Sequence, residues 1–144
     1  MEAAASSSTP ISVLIADDHR LFAEALEAIL VGDARITVVG QAGDGREAVE
    51  LARELRPDVV LMDVSMPVLD GFEAARAIRA DRADTRILML TGSNSRADVD
   101  RARQAGAAGY VTKSSDAAEL VQLGAGVLDR RGRINGVVGV VLAR

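Results

Sequence analysis

ISVLIADDHRLFAEALEAILVG, residues 11–32, is the stretch on which the fold turns. Its opening, Ile11–Ala16, is short and almost continuously apolar, the pattern of a strand buried on both faces. The acid pair Asp17-Asp18 follows. From about His19 to Val31 the apolar residues Phe22, Leu26, Ile29 and Leu30 then share one helical face, and Gly32 stops the run. A buried strand feeding directly into a helix is half of a parallel βα unit, because parallel strands need a crossover.

The unit recurs along the chain. Ile36–Gly40 reads as a second strand, and after the turn at Gly43–Gly45 a helix over Gly45–Leu55 carries Ala48, Val49, Leu51 and Ala52. Pro57 precedes a third strand, Val59–Met62, and the loop Asp63–Asp70 leads to a helix over Phe72–Ala80. Ile87–Leu90 is the fourth strand, followed by the polar Thr91–Ser95 and a helix to about Ala105. A short fifth strand, Gly109–Thr112, precedes a helix over Asp116–Leu128, where Asp116 and Glu119 have capping-box spacing. Five such repeats with non-alternating strands predict an α/β fold, a doubly wound parallel sheet with helices on both faces. Residues 1–10 read as a disordered lead and 11–129 as the domain. Residues 130–144 read as an extension or the start of a linker, since Gly124, Gly126, Gly132, Gly136 and Gly139 weaken any long helix there.

The chain has 144 residues, 49% hydrophobic and 26% charged, enough for one soluble domain that buries roughly 68–70% of its unfolded surface. The absence of cysteine excludes disulfides, thiolate zinc sites and a cysteine nucleophile, and suits a reducing compartment. A net charge of −4 argues against a nucleic-acid surface. No apolar stretch approaches the roughly 20 residues of a membrane helix, and MEAAASSSTP lacks the pattern of a signal peptide, so a cytoplasmic location without membrane partners is expected. Of 17 basic residues only Lys113 is lysine, a compact ammonium that arginine cannot replace in a tight pocket.

Ligands of a doubly wound sheet bind beyond the carboxyl ends of its strands. The first strand ends in Asp17 and Asp18, the third in Asp63, the fourth in Thr91 and the fifth in Lys113. Taken singly, Asp17 or Asp18 is most economically a helix N-cap, Thr91 a turn residue and Lys113 a surface charge. Their joint occurrence at successive strand ends points elsewhere. Three carboxylates on one edge repel unless a cation intervenes, and hard oxygen donors suit Mg²⁺ better than zinc. Acids, a hydroxyl and an ammonium together fit phosphoryl chemistry on a carboxylate, with an Asp as nucleophile. His19 could extend the metal site, but reads more economically as the solvent-facing start of its helix. GAAGYVTKS, residues 106–114, is only superficially like a P-loop, because Thr112 stands where the glycine is required.

VLIADDH (13–19), LMDVSMPVLDGFEA (61–74), MLTGS (89–93) and GYVTK (109–113) resemble the motifs of response-regulator receiver domains of two-component systems. The resemblance runs from about Ser12 to Leu128 and is greatest to the NarL/FixJ subfamily of transcription regulators. It implies a flavodoxin-like sheet of order 2-1-3-4-5 and Asp63 as acceptor of a phosphoryl group from a sensor histidine kinase. It also implies Mg²⁺ on Asp18, Asp63 and the Ser65 carbonyl, with Asp17 acting through water. Thr91 and Lys113 would contact the phosphoryl oxygens. Thr91 and Tyr110 would form the switch, Tyr110 turning inward on phosphorylation, and the chain would dimerise when activated. Ser114 stands where many receivers have proline, and a trans peptide is expected after Lys113 because cis without proline costs about 2.5–4 kcal/mol. Control of transcription would need a DNA-binding output domain, so a receiver ending at a linker is expected, with a stand-alone interaction receiver as the alternative. A small haloacid-dehalogenase-like phosphatase is the competing enzymatic reading. It fits less well, since those enzymes carry the nucleophile in a DxD after the first strand. The expectation is therefore a switch, not an enzyme.

Overall fold

The computed structural model describes residues 10–91 and 96–112. Five parallel strands form one sheet in the order β2-β1-β3-β4-β5. They are β1 (Ile11–Ala16), β2 (Ile36–Ala42), β3 (Val59–Asp63), β4 (Arg86–Thr91) and β5 (Gly109–Thr112). The helices between them are α1 (Arg20–Leu30), α2 (Gly45–Leu55), α3 (Gly71–Asp81) and α4 (Arg96–Gln104). The expected elements are all present up to Thr112, with ends displaced by one or two residues. The expected helix at 116–128, the lead at 1–9 and the extension at 130–144 lie outside the described residues. Among the described residues, no helix is long and apolar enough to cross a membrane.

The side-chain alternation of the strands divides the core in two. Leu14, Ala16, Val60, Met62, Ile87 and Met89 pack with Ala48 and Ala52 of α2, Phe72, Ala75 and Ile78 of α3, and Ala102 of α4. The intervening residues Val13, Ile15, Val59, Leu61, Leu88 and Leu90 pack with Ala23, Leu26 and Leu30 of α1. Burial of both sets explains why β1, β3 and β4 read as continuous apolar runs. The edge strand β2 departs from this, with Thr37 and Gln41 exposed.

Local chemistry fixes the helix ends. Asp44 caps α2 by accepting the Glu47 N–H at 2.8 Å. Asp70 and Glu73 form a reciprocal capping box on α3. The cap of α1 is His19, whose side chain makes no capping hydrogen bond, so neither Asp17 nor Asp18 has the N-cap role that each would have taken singly. α2 ends at Arg56 in the left-handed conformation, just before Pro57, which cannot continue a helix.

Candidate functional site

The strand register assembles the site. Ala16 pairs with Met62, so Asp17 and Asp63 leave β1 and β3 side by side. Asp63 pairs with Leu90, which places Thr91 one residue further along the same edge. Asp17, Asp63 and Thr91 are buried, with 3%, 3% and 4% exposure, while the Asp18 side chain is 35% exposed at the rim. Carboxylate oxygens of Asp17, Asp18 and Asp63 and a ring nitrogen of His19 all lie within 4.8 Å of one another.

A turn closes this group from the α1 side. Asp17 Oδ1 accepts the His19 backbone N–H at 2.8 Å, and His19 Nδ1 lies 3.3 Å from Asp17 Oδ1 and 3.5 Å from Asp18 Oδ1. The His19 side chain is 70% exposed, as a solvent-facing helix start requires, yet its ring also borders the acids. Holding carboxylates together in a half-buried pocket is costly without a cation, and oxygen donors of this kind fit Mg²⁺. The residues present therefore suit that ion.

The loop from Asp63 to Asp70 is held by two glycines that the sequence reading passed over. A Cβ on Gly71 would stand 2.1 Å from the Asp63 carbonyl oxygen, and one on Gly45 would stand 1.8 Å from that of Leu69. Each position therefore admits only hydrogen. The Gly71 N–H donates to the Val64 carbonyl at 2.9 Å, tying the start of α3 to the residue after Asp63. The available signal was the repeated Asp-Gly-x-Glu at 44–47 and 70–73, which puts glycine at a first helical turn where local propensity does not favour it. Ser65 is exposed in the same loop. Val68 near its end is exposed with φ at 72°, a strained conformation for a β-branched residue.

Beyond Thr91 the site reaches Tyr110, which is 1% exposed and shares a side-chain hydrogen bond with Thr91. Burial pushes the Tyr110 hydroxyl above the ordinary phenol range, the Thr91 bond opposes that rise, and the charge of Asp98 adds to it. The Tyr110 ring is thus inward in this structure, the position the resemblance implies for the phosphorylated state. Lys113 and the Lys113–Ser114 peptide lie outside the described residues.

A parallel sheet of this order, with buried acids grouped at its carboxyl edge, defines the receiver class of signalling domain. The family model for the response regulator receiver domain matches residues 13–124, and the chain belongs to that family. It is 44% identical over 112 residues to the response regulator GacA of Pseudomonas viridiflava, an alignment covering 78% of this chain and 52% of the relative. The signal receiver domain of the response regulator NarL from Mycobacterium tuberculosis has a similar structure, with TM-score 0.75 and 39% identity over 78% of this chain and 91% of that one. A LuxR-family two-component response regulator from Aurantimonas sp. gives TM-score 0.80 and 36% identity, over 94% of this chain and 96% of the other. The relatives are NarL/LuxR-type regulators, and the chain spans about half the length of the curated ones. The family match gives no support to the phosphatase alternative.

Proposed function

We propose that this receiver accepts one phosphoryl group on Asp63 from a sensor histidine kinase in the cytoplasm. The observation that carries the reading is the burial of Asp63 beside Asp17 and Asp18 at the sheet edge. A carboxylate oxygen of Asp63 attacks phosphorus, the bond from phosphorus to the kinase histidine breaks, and an acyl phosphate results. Asp18, Asp63 and the Ser65 carbonyl would hold Mg²⁺, with Asp17 assisting through water. When bound, that ion offsets negative charge on the transferring group. The Thr91 hydroxyl donates a hydrogen bond to a phosphoryl oxygen, and the Lys113 ammonium pairs with another.

The protein is a stoichiometric switch and turns over no substrate. Its conformational change favours a homodimer and acts on DNA through an output domain, in keeping with the transcriptional regulators among its relatives. The test is intact-mass spectrometry after incubation with acetyl phosphate and Mg²⁺. Wild type gains one acid-labile phosphoryl group and Asp63→Asn gains none. Equal modification of the variant overturns the assignment, and steady turnover of a generic phosphate ester would revive the enzymatic reading.

A further inference from the structure

We infer that His19 is a nitrogen donor to the cation site, and that the site consequently takes a borderline divalent transition metal such as Co²⁺ more tightly than Mg²⁺. The inference rests on the reading of Asp17, Asp18 and Asp63 as a cation site. Its basis is what the His19 side chain does in place of the local task its position offers. His19 is the N-cap of α1, a position where Ser, Thr, Asp and Asn are preferred because they cap the helix N–H groups. The imidazole caps nothing there. Its Nδ1 instead sits 3.3 Å from Asp17 and 3.5 Å from Asp18.

A ring beside two acids could serve merely as their hydrogen-bonding neighbour. Asp63 is what separates the two roles. It belongs to β3, outside the turn that joins Asp17 to His19, and its carboxylate also lies within 4.8 Å of a His19 ring nitrogen. Opposite donors across a six-coordinate ion with bonds near 2.1 Å stand about 4.2 Å apart. A modest contraction therefore lets His19, Asp18 and Asp63 share one ion, while Asp17 keeps its outer role. The backbone bond from His19 to Asp17 anchors the His19 backbone beside the acids.

The donor chemistry then decides the metal. Carboxylates and carbonyls suit Mg²⁺, whereas imidazole suits the later first-row metals, whose affinity rises from Mn²⁺ through Co²⁺. One nitrogen among oxygens shifts the preference without abolishing binding of the harder ion.

The experiment titrates the metal-free, untagged full chain with MgCl₂ and with CoCl₂ by calorimetry, in wild type, His19→Asn, His19→Ser and Asp18→Asn. Asn and Ser are favoured N-caps, so both replacements keep α1. The ratio of the Mg²⁺ Kd to the Co²⁺ Kd is expected to fall about tenfold or more in the His19 variants, the scale of losing one metal-site interaction. His19 is the only histidine in the chain, so hyperfine-shifted imidazole proton resonances of the Co²⁺ form have no other source. They are expected in wild type and absent from both His19 variants. An unchanged ratio, or Co²⁺ binding without those resonances, overturns the role of His19 and leaves the cation site standing. Loss of neither ion's binding in Asp18→Asn overturns the cation site itself, and the inference with it.

Discussion

The Arg101 guanidinium lies 4.2 Å from the centroid of the Phe72 ring and 3.9 Å from the Asp70 carboxylate. Asp70 and Phe72 flank the start of α3, where the loop that follows Asp63 ends. One side chain of α4 is therefore fastened to the segment nearest the proposed acceptor. The contact matters because α4 is otherwise weakly held. Ala102 is its one buried residue, and Val99 is only partly buried.

Removing that fastening loosens α4. An exposed cation–π contact is worth about 0.5–1 kcal/mol, and an exposed ion pair adds between about zero and 1. Arg101→Ala is expected to speed amide exchange over Arg96–Gln104 by roughly two- to thirtyfold through local opening. Exchange in β1 and β3 is expected to be unchanged. If the whole sheet speeds up equally, the residue stabilises the domain globally and is no local fastening of α4.

Phosphorylation is expected to report through the same region. Tyr110 is already inside, so the change falls on the Thr91–Tyr110 bond and on α4, not on entry of the ring. Beryllofluoride with Mg²⁺, a phosphoryl mimic, is expected to alter exchange protection over Arg96–Thr112. Changes confined to α2 would sink this route.

The two acids after β1 are expected to differ towards the ion. Asp18 is assigned direct contact and Asp17 an outer role, so Asp18→Ala loses more of the Mg²⁺-induced rise in Tm than Asp17→Ala. Each replacement is also expected to raise the metal-free Tm by relieving carboxylate crowding. A wild-type Tm that is the same with and without millimolar Mg²⁺ would count against both assignments.

The sequence exposed the sheet and its edge residues because both rest on patterns local to one element. Continuous apolar runs announce strands buried on two faces, and register follows once a parallel sheet is granted. Contacts between distant segments were not legible. Nothing local says that Gly71 abuts the Asp63 carbonyl or that Gly45 abuts Leu69. Cap preference applied to Asp17 alone would likewise mislead. Cap preference favours an acid at a helix start, but here the carboxylate turns back to the His19 N–H, and the cap moves one residue beyond the acid pair. The inward Tyr110 depends on burial and on Thr91 from the neighbouring strand, which no spacing rule encodes.

Val68 is the next place where a substitution has a definite sign. A left-handed conformation costs a non-glycine residue about 1–2 kcal/mol. Its side chain recovers little packing, being 72% exposed at φ 72°. Glycine removes the strain but gives the unfolded chain extra freedom worth about 0.4–1 kcal/mol. Val68→Gly is expected to stabilise by roughly 0.5–1 kcal/mol in urea unfolding. A lower urea midpoint would show that Val68 makes contacts that outweigh its strain.

Asp33, in the turn before β2, sets a pH dependence far from the candidate site. The Arg35 guanidinium grips it at 2.7 and 3.0 Å, and the Arg35 backbone N–H donates at 2.9 Å. The side-chain bonds from Arg35 are the largest cause, and the backbone bond the next, that hold the Asp33 carboxyl down at about 2. An ordinary aspartate titrates near about 3.9. The folded value is the lower one, so the unfolded chain binds the proton more readily as the solution acidifies. The stabilisation is therefore complete above about pH 4 and disappears as the pH falls towards about 2. Asp33→Asn removes the charge but keeps an acceptor for the Arg35 N–H. Wild type is expected to exceed the variant in urea midpoint at neutral pH, with the gap closing through that acid window. A gap that stays constant down to about pH 2 would mean that the bond geometry, and not the charge on Asp33, supplies the difference.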